Sequence, residues 1–264
     1  MSEKTVFIHA LTGIGSTGEK TASLTYLPRA AMEAAIDTDL KIPVIRTSTL
    51  MRALRHAKIT INPENISYDP SLLLLPVRTP AGLFAWITCP AALGKMKLLG
   101  SNSNQTIQGF TFNPEVQAYV TRSCQILLDR ELIIEEYFLR SKYSNELDVI
   151  ALELAKNIFS DPGYEWWQKK LQMDLVVVSN QTFAAMLQTA LEIRARVAGN
   201  SAQIARKTPY LYEELFPAEA VLITALAAEN LPTETKLIEL GNNLSTGRGL
   251  SRLIMRASSY DLGA

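Results

Sequence analysis

The sequence contains few of the residues from which metal sites are usually built. Its 264 residues include only two cysteines, Cys89 and Cys124, and two histidines, His9 and His56, which are far apart along the chain. Zinc sites use cysteines and histidines at short, regular spacings, and none can be drawn here. The composition therefore predicts no structural metal.

Long apolar runs are also missing, and so is an excess of charge of one sign. No stretch approaches the roughly 18 consecutive apolar residues of a membrane span. Met1-Ser2-Glu3-Lys4 leads into a strand pattern rather than the apolar segment of a signal peptide. We therefore expect a cytoplasmic protein that has no membrane partner. The net charge of zero by itself argues against a nucleic-acid ligand, because such binding depends on phosphate neutralisation.

The basic residues are, however, unevenly distributed. Leu40–Pro63, Ile193–Tyr212 and Leu240–Tyr260 together contain 12 of the 26 basic residues and no acidic one. The other 199 residues therefore contain 14 basic and 26 acidic residues, a balance of −12. If the three segments meet in the folded chain, they form a basic track on an acidic body. The alternative is three separate solvated faces. Acids dominate Asp129–Glu153, which suggests a surface turned away from nucleic acid.

Glycine is concentrated near the end of the chain, in Gly241-Asn242-Asn243-Leu244-Ser245-Thr246-Gly247-Arg248-Gly249. Glycines permit tight turns that expose backbone N–H groups, and the residues that follow include arginines but no acid. This combination suits a phosphate. A flexible turn before a last strand has the same composition and is the alternative.

The first basic segment contains a predicted helix. Apolar residues recur at helical spacing from Leu50, after the hydroxyl residues Thr47-Ser48-Thr49, which are typical N-caps. Arg52 and Arg55 fall on the opposite face of this helix. The helix start, with Arg46 nearby, could bind a phosphate. Simple capping with solvent-facing arginines is the alternative.

Apolar runs separated by turn residues predict an α+β fold. Strands are expected at Lys4–Thr12, Leu72–Arg78, Gly82–Thr88, Asp174–Ser179 and Ala220–Leu226, and a last strand is expected after the glycine-rich loop. The amphipathic spacing of residues from Phe183 to Arg194 predicts a helix, with Arg194 and Arg196 at its C-terminal end. Residues 94–114 predict a loop, and 202–217 a protruding hairpin. Helices on one side of an antiparallel sheet would give a ferredoxin-like plan.

Four segments in this order resemble one family, the RAMP proteins of CRISPR systems, and within it the backbone subunit of the type III-B (Cmr) effector. These segments are Pro43–Leu50 with Ala53-Leu54-Arg55, Leu75–Arg78 with Phe84–Pro90, Tyr212–Pro217, and Gly241–Gly249. They span nearly the whole chain. Each is weakly specific alone, whereas their joint order is more specific.

The resemblance implies a single RAMP domain over residues 1–264, with a ferredoxin-like (RRM-like) palm. It also implies an inserted region at about 94–170 and a thumb β-hairpin at about 198–217. Such a subunit polymerises along a CRISPR guide RNA for pairing with target RNA in antiviral defence. Its partners are guide RNA, target RNA, further copies of itself and other effector subunits. The residues assigned to RNA are Arg46, Thr47, Ser48, Thr49, Arg52, Arg55, Arg194, Arg196, Asn242, Thr246, Gly247, Arg248 and Gly249.

The resemblance also bears on catalysis. In active relatives an aspartate in the loop after the first strand is needed for cutting target RNA, and Tyr26 stands at the matching position. We therefore expect a binding subunit without its own cleavage, and the catalytic residues are unknown. Asp37 or Asp39, further along the loop, would serve an alternative target-RNA endoribonuclease. No cofactor is expected, and a divalent metal is expected only if cleavage occurs.

Two further functions stay open at this point. One is a stand-alone guide-RNA processing nuclease that uses His9 or His56 as a general base. Neither histidine has an evident partner in the sequence, and a histidine inside a buried strand is more often a core residue. The other is an interaction protein that does not bind RNA.

Overall fold

The structure is a computed structural model that describes residues 3–15, 25–28, 41–97, 111–129, 131–197, 210–227, 234–241 and 247–257. The strands are β1 Glu3–Ala10, β2 Ile14–Gly15, β3 Thr25–Pro28, β4 Lys41–Val44, β5 Ser71–Thr79, β6 Leu83–Thr88, β7 Ala118–Val120, β8 Leu127–Leu128, β9 Glu131–Ile134, β10 Tyr137–Tyr143, β11 Leu175–Val178, β12 Glu192–Val197, β13 Tyr210–Phe216, β14 Val221–Ala227, β15 Lys236–Glu239 and β16 Leu250–Ala257. The helices are α1 Thr47–His56, α2 Pro90–Lys97, α3 Asn145–Ile158, α4 Glu165–Asp174 and α5 Asn180–Ala190, and a single 3-10 turn covers Pro63–Asn65.

The strands form one large sheet and one small sheet. The large sheet runs in the order β15-β16-β1-β14-β5-β6-β11-β7-β10-β9-β8, and β3 and β4 join it beside β5. The small sheet has the order β12-β13-β2. The predicted α+β class is confirmed, and the buried strands expected near residues 4–12, 72–78, 82–88, 174–179 and 220–226 are all present.

β1 is an interior strand of the large sheet, third from the β15 end, where it lies between β14 and β16 and is antiparallel to both. Val6 and Ile8 pack into one hydrophobic cluster, and Phe7 packs into a second cluster on the other face. A strand that is apolar on both faces needs cover on both sides. β1 is therefore packed on both faces of the sheet.

Helices cover both faces of the large sheet, so the predicted placement on one side is wrong. α1 and α5 contribute Leu50, Leu54 and Phe183 to the cluster with Val6. α3 and α4 contribute Leu154 and Leu171 to the cluster with Phe7. The physical reason is the two-sided apolar character of the central strands, which an arrangement of helices on one face would leave half exposed to water.

The sheet is mixed rather than antiparallel, because β6 pairs with β11 and β7 pairs with β10 in parallel. Its far end bends back toward β5. The turn after β9 reaches β5, where the backbone N–H of Glu135 donates to the carbonyl of Arg78 at 3.0 Å. This curled half of the sheet encloses Val77, Leu132 and Leu139 of the first cluster.

Two local predictions are corrected. The helix after β11 ends at Ala190, and Arg194 and Arg196 lie in β12 rather than at a helix exit. The reason is that Glu192–Val197 alternates polar and apolar residues with a period of two and pairs with β13. In addition, α2 extends to Lys97 and includes the first four residues of the predicted loop 94–114, whereas residues 98–110 lie outside the described part of the chain.

Candidate nucleic-acid interface

The two ends of the glycine-rich loop are fastened to the segment that follows β1. The backbone N–H of Gly249 donates to the carbonyl of Gly13 at 3.0 Å, and the N–H of Leu240 donates to the carbonyl of Gly249 at 2.8 Å. Gly241 has φ +105° and packs on Gly15, where an added Cβ would lie 3.3 Å from the carbonyl oxygen. The loop therefore needs glycine at this position for both conformation and space.

Helix α1 reaches the same place. Arg52, on the exposed face of α1, donates from Nη2 to the carbonyl oxygen of Gly241 at 3.1 Å. Arg55, one turn further, is also exposed, and Leu50 and Leu54 on the opposite face are fully buried. The predicted amphipathic helix is confirmed, and it brings the first basic segment to the base of the glycine-rich loop.

The start of α1 differs from its prediction. Asp69 caps this helix: its Oδ1 accepts from the N–H of Thr47 at 2.7 Å and from the hydroxyl of Thr47 at 2.6 Å. Arg46 is the N-cap residue and is exposed, as is Ser48, whereas Thr49 is buried. A carboxylate therefore occupies part of the site predicted for phosphate, and the Thr49 side chain faces the core.

The second and third basic segments meet at Glu213. In the β12–β13 pair Arg194 lies directly opposite Glu213. Arg248, near the end of the glycine-rich loop, has Nη1 3.8 Å from Oε2 of Glu213. Arg194 also forms an ion pair with Glu192, whose carboxylate lies beside Gly13. Arginines from the two segments therefore approach each other across acids of the small sheet.

Several predicted residues lie wholly or partly outside the described part of the chain. Asn242 and Thr246 lie outside the described residues, and of Arg196 only the backbone is described. Gly247 has φ +75° and Gly249 has φ +83°, which is backbone that favours glycine. Tyr26 lies in β3, where it pairs with Pro43 of β4. Asp37, Asp39 and residues 198–209 of the predicted thumb also lie outside the described residues.

Two arginines of the third basic segment take no part in this surface. Arg252 is 1% exposed, contacts Asp161 and Tyr164, and lies on the side of the large sheet that α3 covers. Arg256 donates to the carbonyl of Asn157 at 2.8 Å, and burial lowers the pKa of its guanidinium. Arg248 of this segment therefore remains part of the predicted basic track, whereas Arg252 and Arg256 have structural roles.

His9 is a satisfied core residue, as its position in a buried strand predicted. It is fully buried, its Nε2 lies 2.8 Å from Oε2 of Glu219, and its ring meets Phe159 edge-on. Glu219 also accepts from Nε1 of Trp167 at 2.9 Å. The environment of His9 therefore supports a packing role and leaves it no access to an RNA strand.

Sequence reasoning missed Asp69, Glu192 and Glu213. Asp69 is 22 positions from the helix start that it caps, so no local periodicity links the two. Glu192 and Glu213 stand at the two ends of a segment that was singled out because it contains no acid. The extended backbone of β12 places Glu192 beside Arg194, and the register of β12 against β13 places Glu213 opposite it. Composition reveals neither arrangement.

Comparison with known proteins gives a consistent result. No protein-family model matches the chain. The chain is 25% identical over 207 residues to the CRISPR system Cmr endoribonuclease Cmr4 of Pyrococcus furiosus, covering 71% of this chain and 68% of that protein. The crystal structure of oligomeric Cmr4 from the same organism superposes with a TM-score of 0.68 at 19% identity, covering 98% and 100% of the two chains. The chain is Cmr4-like.

Other solved structures agree with the Cmr4-like fold. A subunit of the type III-B Cmr-beta complex bound to cognate target RNA matches with a TM-score of 0.59 at 17% identity, over 97% of each chain. The apo state of Cmr-beta gives 0.61 at 14% identity, over 96% of this chain and 97% of that one. The resemblance to RAMP backbone subunits that the motifs indicated is thereby confirmed in sequence and in fold.

Among the described residues, no three His, Cys, Asp or Glu side chains are grouped so that they could hold a metal ion. Over the same residues, no helix combines the length and the hydropathy required to cross a bilayer.

Proposed function

We propose that this chain is a guide-RNA-binding backbone subunit of a type III CRISPR effector ribonucleoprotein, which presents the guide for pairing with target RNA and lacks its own cleavage activity. The contact between Arg52 and Gly241 carries the proposal, because it joins the two segments assigned to guide phosphates into one surface. Similarity to Cmr4 and to a subunit of the target-bound Cmr-beta complex supports the backbone role. Cmr4 of Pyrococcus furiosus is an endoribonuclease, so the proposed lack of cleavage depends on Tyr26 alone.

We also propose a domain architecture for the chain. We assign one RAMP domain to residues 1–264, with a ferredoxin-like palm around β1, an inserted region at about 94–170 and a thumb hairpin at about 198–217. The antiparallel pairing of β12 and β13 supports a hairpin here, with arms at Glu192–Val197 and Tyr210–Phe216. The thumb would therefore begin about six residues earlier than the sequence predicts.

The guide is proposed to follow the exposed arginines of α1, the glycine-rich loop and the base of β12. Arg46, Ser48, Arg52, Arg55, Arg194 and Arg248 supply positive charge or hydroxyl groups, and the loop supplies backbone N–H groups. Such contacts are to phosphates and hold no base information. Binding is therefore expected to be independent of the guide sequence and to weaken steeply with salt.

The test is guide-RNA binding by the assembled complex at several salt concentrations. Arg52→Ala combined with Arg248→Ala is expected to weaken binding about tenfold or more for every guide sequence and to reduce the salt slope. Lys156→Ala, which removes an exposed cation from α3, is the matched control and should have no effect. Binding that is unchanged in the double variant, or lost for some guide sequences only, would refute the assignment.

Cleavage is tested separately with labelled complementary RNA. The proposal expects intact target after incubation with the guide-loaded complex, with and without a divalent cation. Periodic cuts that disappear on Asp37→Ala or Asp39→Ala would establish the alternative endoribonuclease.

A further inference from the structure

One face of the large sheet is covered by helices at its centre and is bare at one end. α3 and α4 pack over β6, β11 and β7, where Trp86, Val177 and Tyr119 belong to the buried cluster. β10 and β9 follow β7 in the sheet. On these two strands the same face carries side chains that remain in contact with solvent.

The alternation of β10 sorts its side chains between the two faces. Leu139 is buried in the enclosed cluster together with Leu132 of β9. Phe138, Arg140 and Lys142 point the other way, because side chains two residues apart share a face. Phe138 is 68% exposed, which is unusual for a phenyl ring, and Arg140 and Lys142 are also exposed.

The neighbours of these three residues define the chemistry of the surface. Across the β9–β10 pair, Ile133 lies opposite Phe138 and Glu131 lies opposite Arg140. Within the part of the chain that the structure describes, neither Arg140 nor Lys142 forms a side-chain ion pair, although Glu131 is adjacent. This surface therefore presents an aromatic ring and two cations in a line, with the carboxylate of Glu131 opposite Arg140 and exposed Glu136 in the turn before Phe138.

An aromatic ring followed by cations at two-residue steps suits single-stranded RNA. A splayed base can stack on a phenyl ring or on a guanidinium plane, and the cations can neutralise the phosphates that follow. Successive outward residues of a strand are about 7 Å apart. A strand surface of this kind can hold an extended polynucleotide, whereas duplex RNA exposes no free base faces.

The position of this surface separates it from the proposed guide track. β10 lies seven strand positions from β16 in the order of the sheet, whose far end curls back toward β5. It is also on the face covered by α3, whereas α1 packs on the other face. A guide segment held by Arg52 and the glycine-rich loop would not also occupy this surface on the same subunit.

We propose that Phe138, Arg140 and Lys142 form a second RNA-binding surface that contacts unpaired, single-stranded portions of the target transcript. This inference rests on the proposed function, because it assumes that the guide occupies the track at α1. The carboxylate of Glu131 opposes binding and limits the affinity of this surface, so that it assists guide pairing and does not replace it.

The experiment uses the guide-loaded complex and two labelled target RNAs. One target ends where complementarity ends, and the other continues as an unpaired uridine tract on each side. The variant is Phe138→Ala with Arg140→Ala and Lys142→Ala; all three side chains are exposed, so the fold should be kept. We expect wild-type protein to bind the extended target about tenfold more tightly, and the variant to lose this advantage. The shorter target should bind wild-type and variant protein equally.

Further measurements separate the possible failures. Glu131→Gln should strengthen binding of the extended target, and Phe138→Tyr should preserve it. An unchanged advantage of the extended target in the triple variant would overturn the inference. Loss of the subunit from the complex, with target affinity per subunit unchanged, would also overturn it and assign the surface to a protein contact. If wild-type complex retained no guide, the proposed function itself would fail.

Discussion

The guanidinium of Arg252 lies 3.6 Å from the centre of the Tyr164 ring, and its Nη2 donates to Oδ2 of Asp161 at 2.5 Å. The cation is thus held between an aromatic face and a carboxylate inside the protein. The other terminal nitrogen of the guanidinium, Nη1, lies 3.4 Å from the carbonyl oxygen of Ile158 at the end of α3. Arg252 therefore links the last strand to the end of α3 and to the segment before α4.

Asp161→Asn should destabilise the protein by about 2 kcal/mol at pH 7, because Arg252 would stay buried without a countercharge. Burial by itself would raise the pKa of Asp161, but hydrogen bonding to Thr235 and Arg252 and the positive charges of Arg252 and Arg256 hold this pKa below its ordinary value. A lowered folded pKa means that the stabilisation is complete above the unfolded pKa, about 3.9, and is lost as pH falls through the folded value. Urea unfolding at pH 7 and pH 3 measures both effects. Equal stability of the two proteins at pH 7 would contradict the assignment.

Lys95 on α2 is expected to weaken the fold at neutral pH. Burial lowers its pKa to about 8, and within the described residues its ammonium has no hydrogen-bond acceptor and lies 5.9 Å from the Tyr68 ring centre. Because the folded pKa is lower than the unfolded pKa, stability should rise as pH increases from about 8 to about 10.4. Lys95→Met should increase the free energy of unfolding by on the order of 1–2 kcal/mol at pH 7, after allowance for partial exposure. The variant should also lack the increase in stability at alkaline pH. Denaturant unfolding at pH 7 and pH 10 tests both; a variant that keeps the rise would exclude Lys95 as its source.

Glu213→Gln should increase the affinity for guide RNA about fivefold at low salt. The carboxylate of Glu213 lies against Arg248 and opposite Arg194, so it offsets positive charge that would otherwise face a phosphate. The gain should shrink as salt is added, since it is electrostatic. Fluorescence anisotropy with labelled guide measures it. Glu115→Gln removes an exposed acid elsewhere and serves as the control; weaker binding by Glu213→Gln would instead show that this acid organises the arginines for RNA.

Gly241→Ala should disturb the glycine-rich loop far more than Gly163→Ala. Both glycines have positive φ, +105° and +89°, and alanine at either position costs about 1 kcal/mol from conformation. Only Gly241 also faces close backbone, with Gly15 oxygen and nitrogen 3.3 and 3.4 Å from an added Cβ, whereas Gly163 has open space. Thermal unfolding and guide binding are the readouts. We expect Gly241→Ala to reduce guide binding and Gly163→Ala to leave it unchanged. If the two variants behaved alike, the contact of Gly241 with Gly15 would not be the cause of the effect.

The elements that sequence predicted well are those fixed by local patterning. Central strands such as β1 and β11 are apolar on both faces, and α1 has a clear apolar stripe, so periodicity suffices for both. The helix predicted through Arg194 failed because the residues of β12 are stabilised by pairing with β13, a tertiary contact that overrides local preference. The uncovered face of β10 was not predicted, because β10 lies in Asp129–Glu153, a segment in which acids outnumber bases. A charge count over a segment does not show which side chains share one face of a strand.

The candidate interface was only partly predictable for the same reason. Residue types and spacing indicated Arg52 and the glycine-rich loop, but their meeting depends on Gly241 packing against Gly15, more than 200 positions away in the chain. Arg252 and Arg248 are four residues apart and look equivalent in composition, yet strand geometry buries one in the sheet and leaves the other beside Glu213. Charge segregation along a chain thus identifies candidate segments, whereas the sheet decides which side chains reach the surface.

The antiparallel pairing of β1 with β16, which aligns Lys4 with Ala257, has a consequence for biosynthesis. During translation β1 emerges early, but one of its two hydrogen-bonding neighbours is made only after some 240 further residues. Until then this apolar interior strand of the future sheet has an open edge that can pair with other chains. Premature termination before β16 should therefore yield an aggregating fragment rather than a shortened but working subunit.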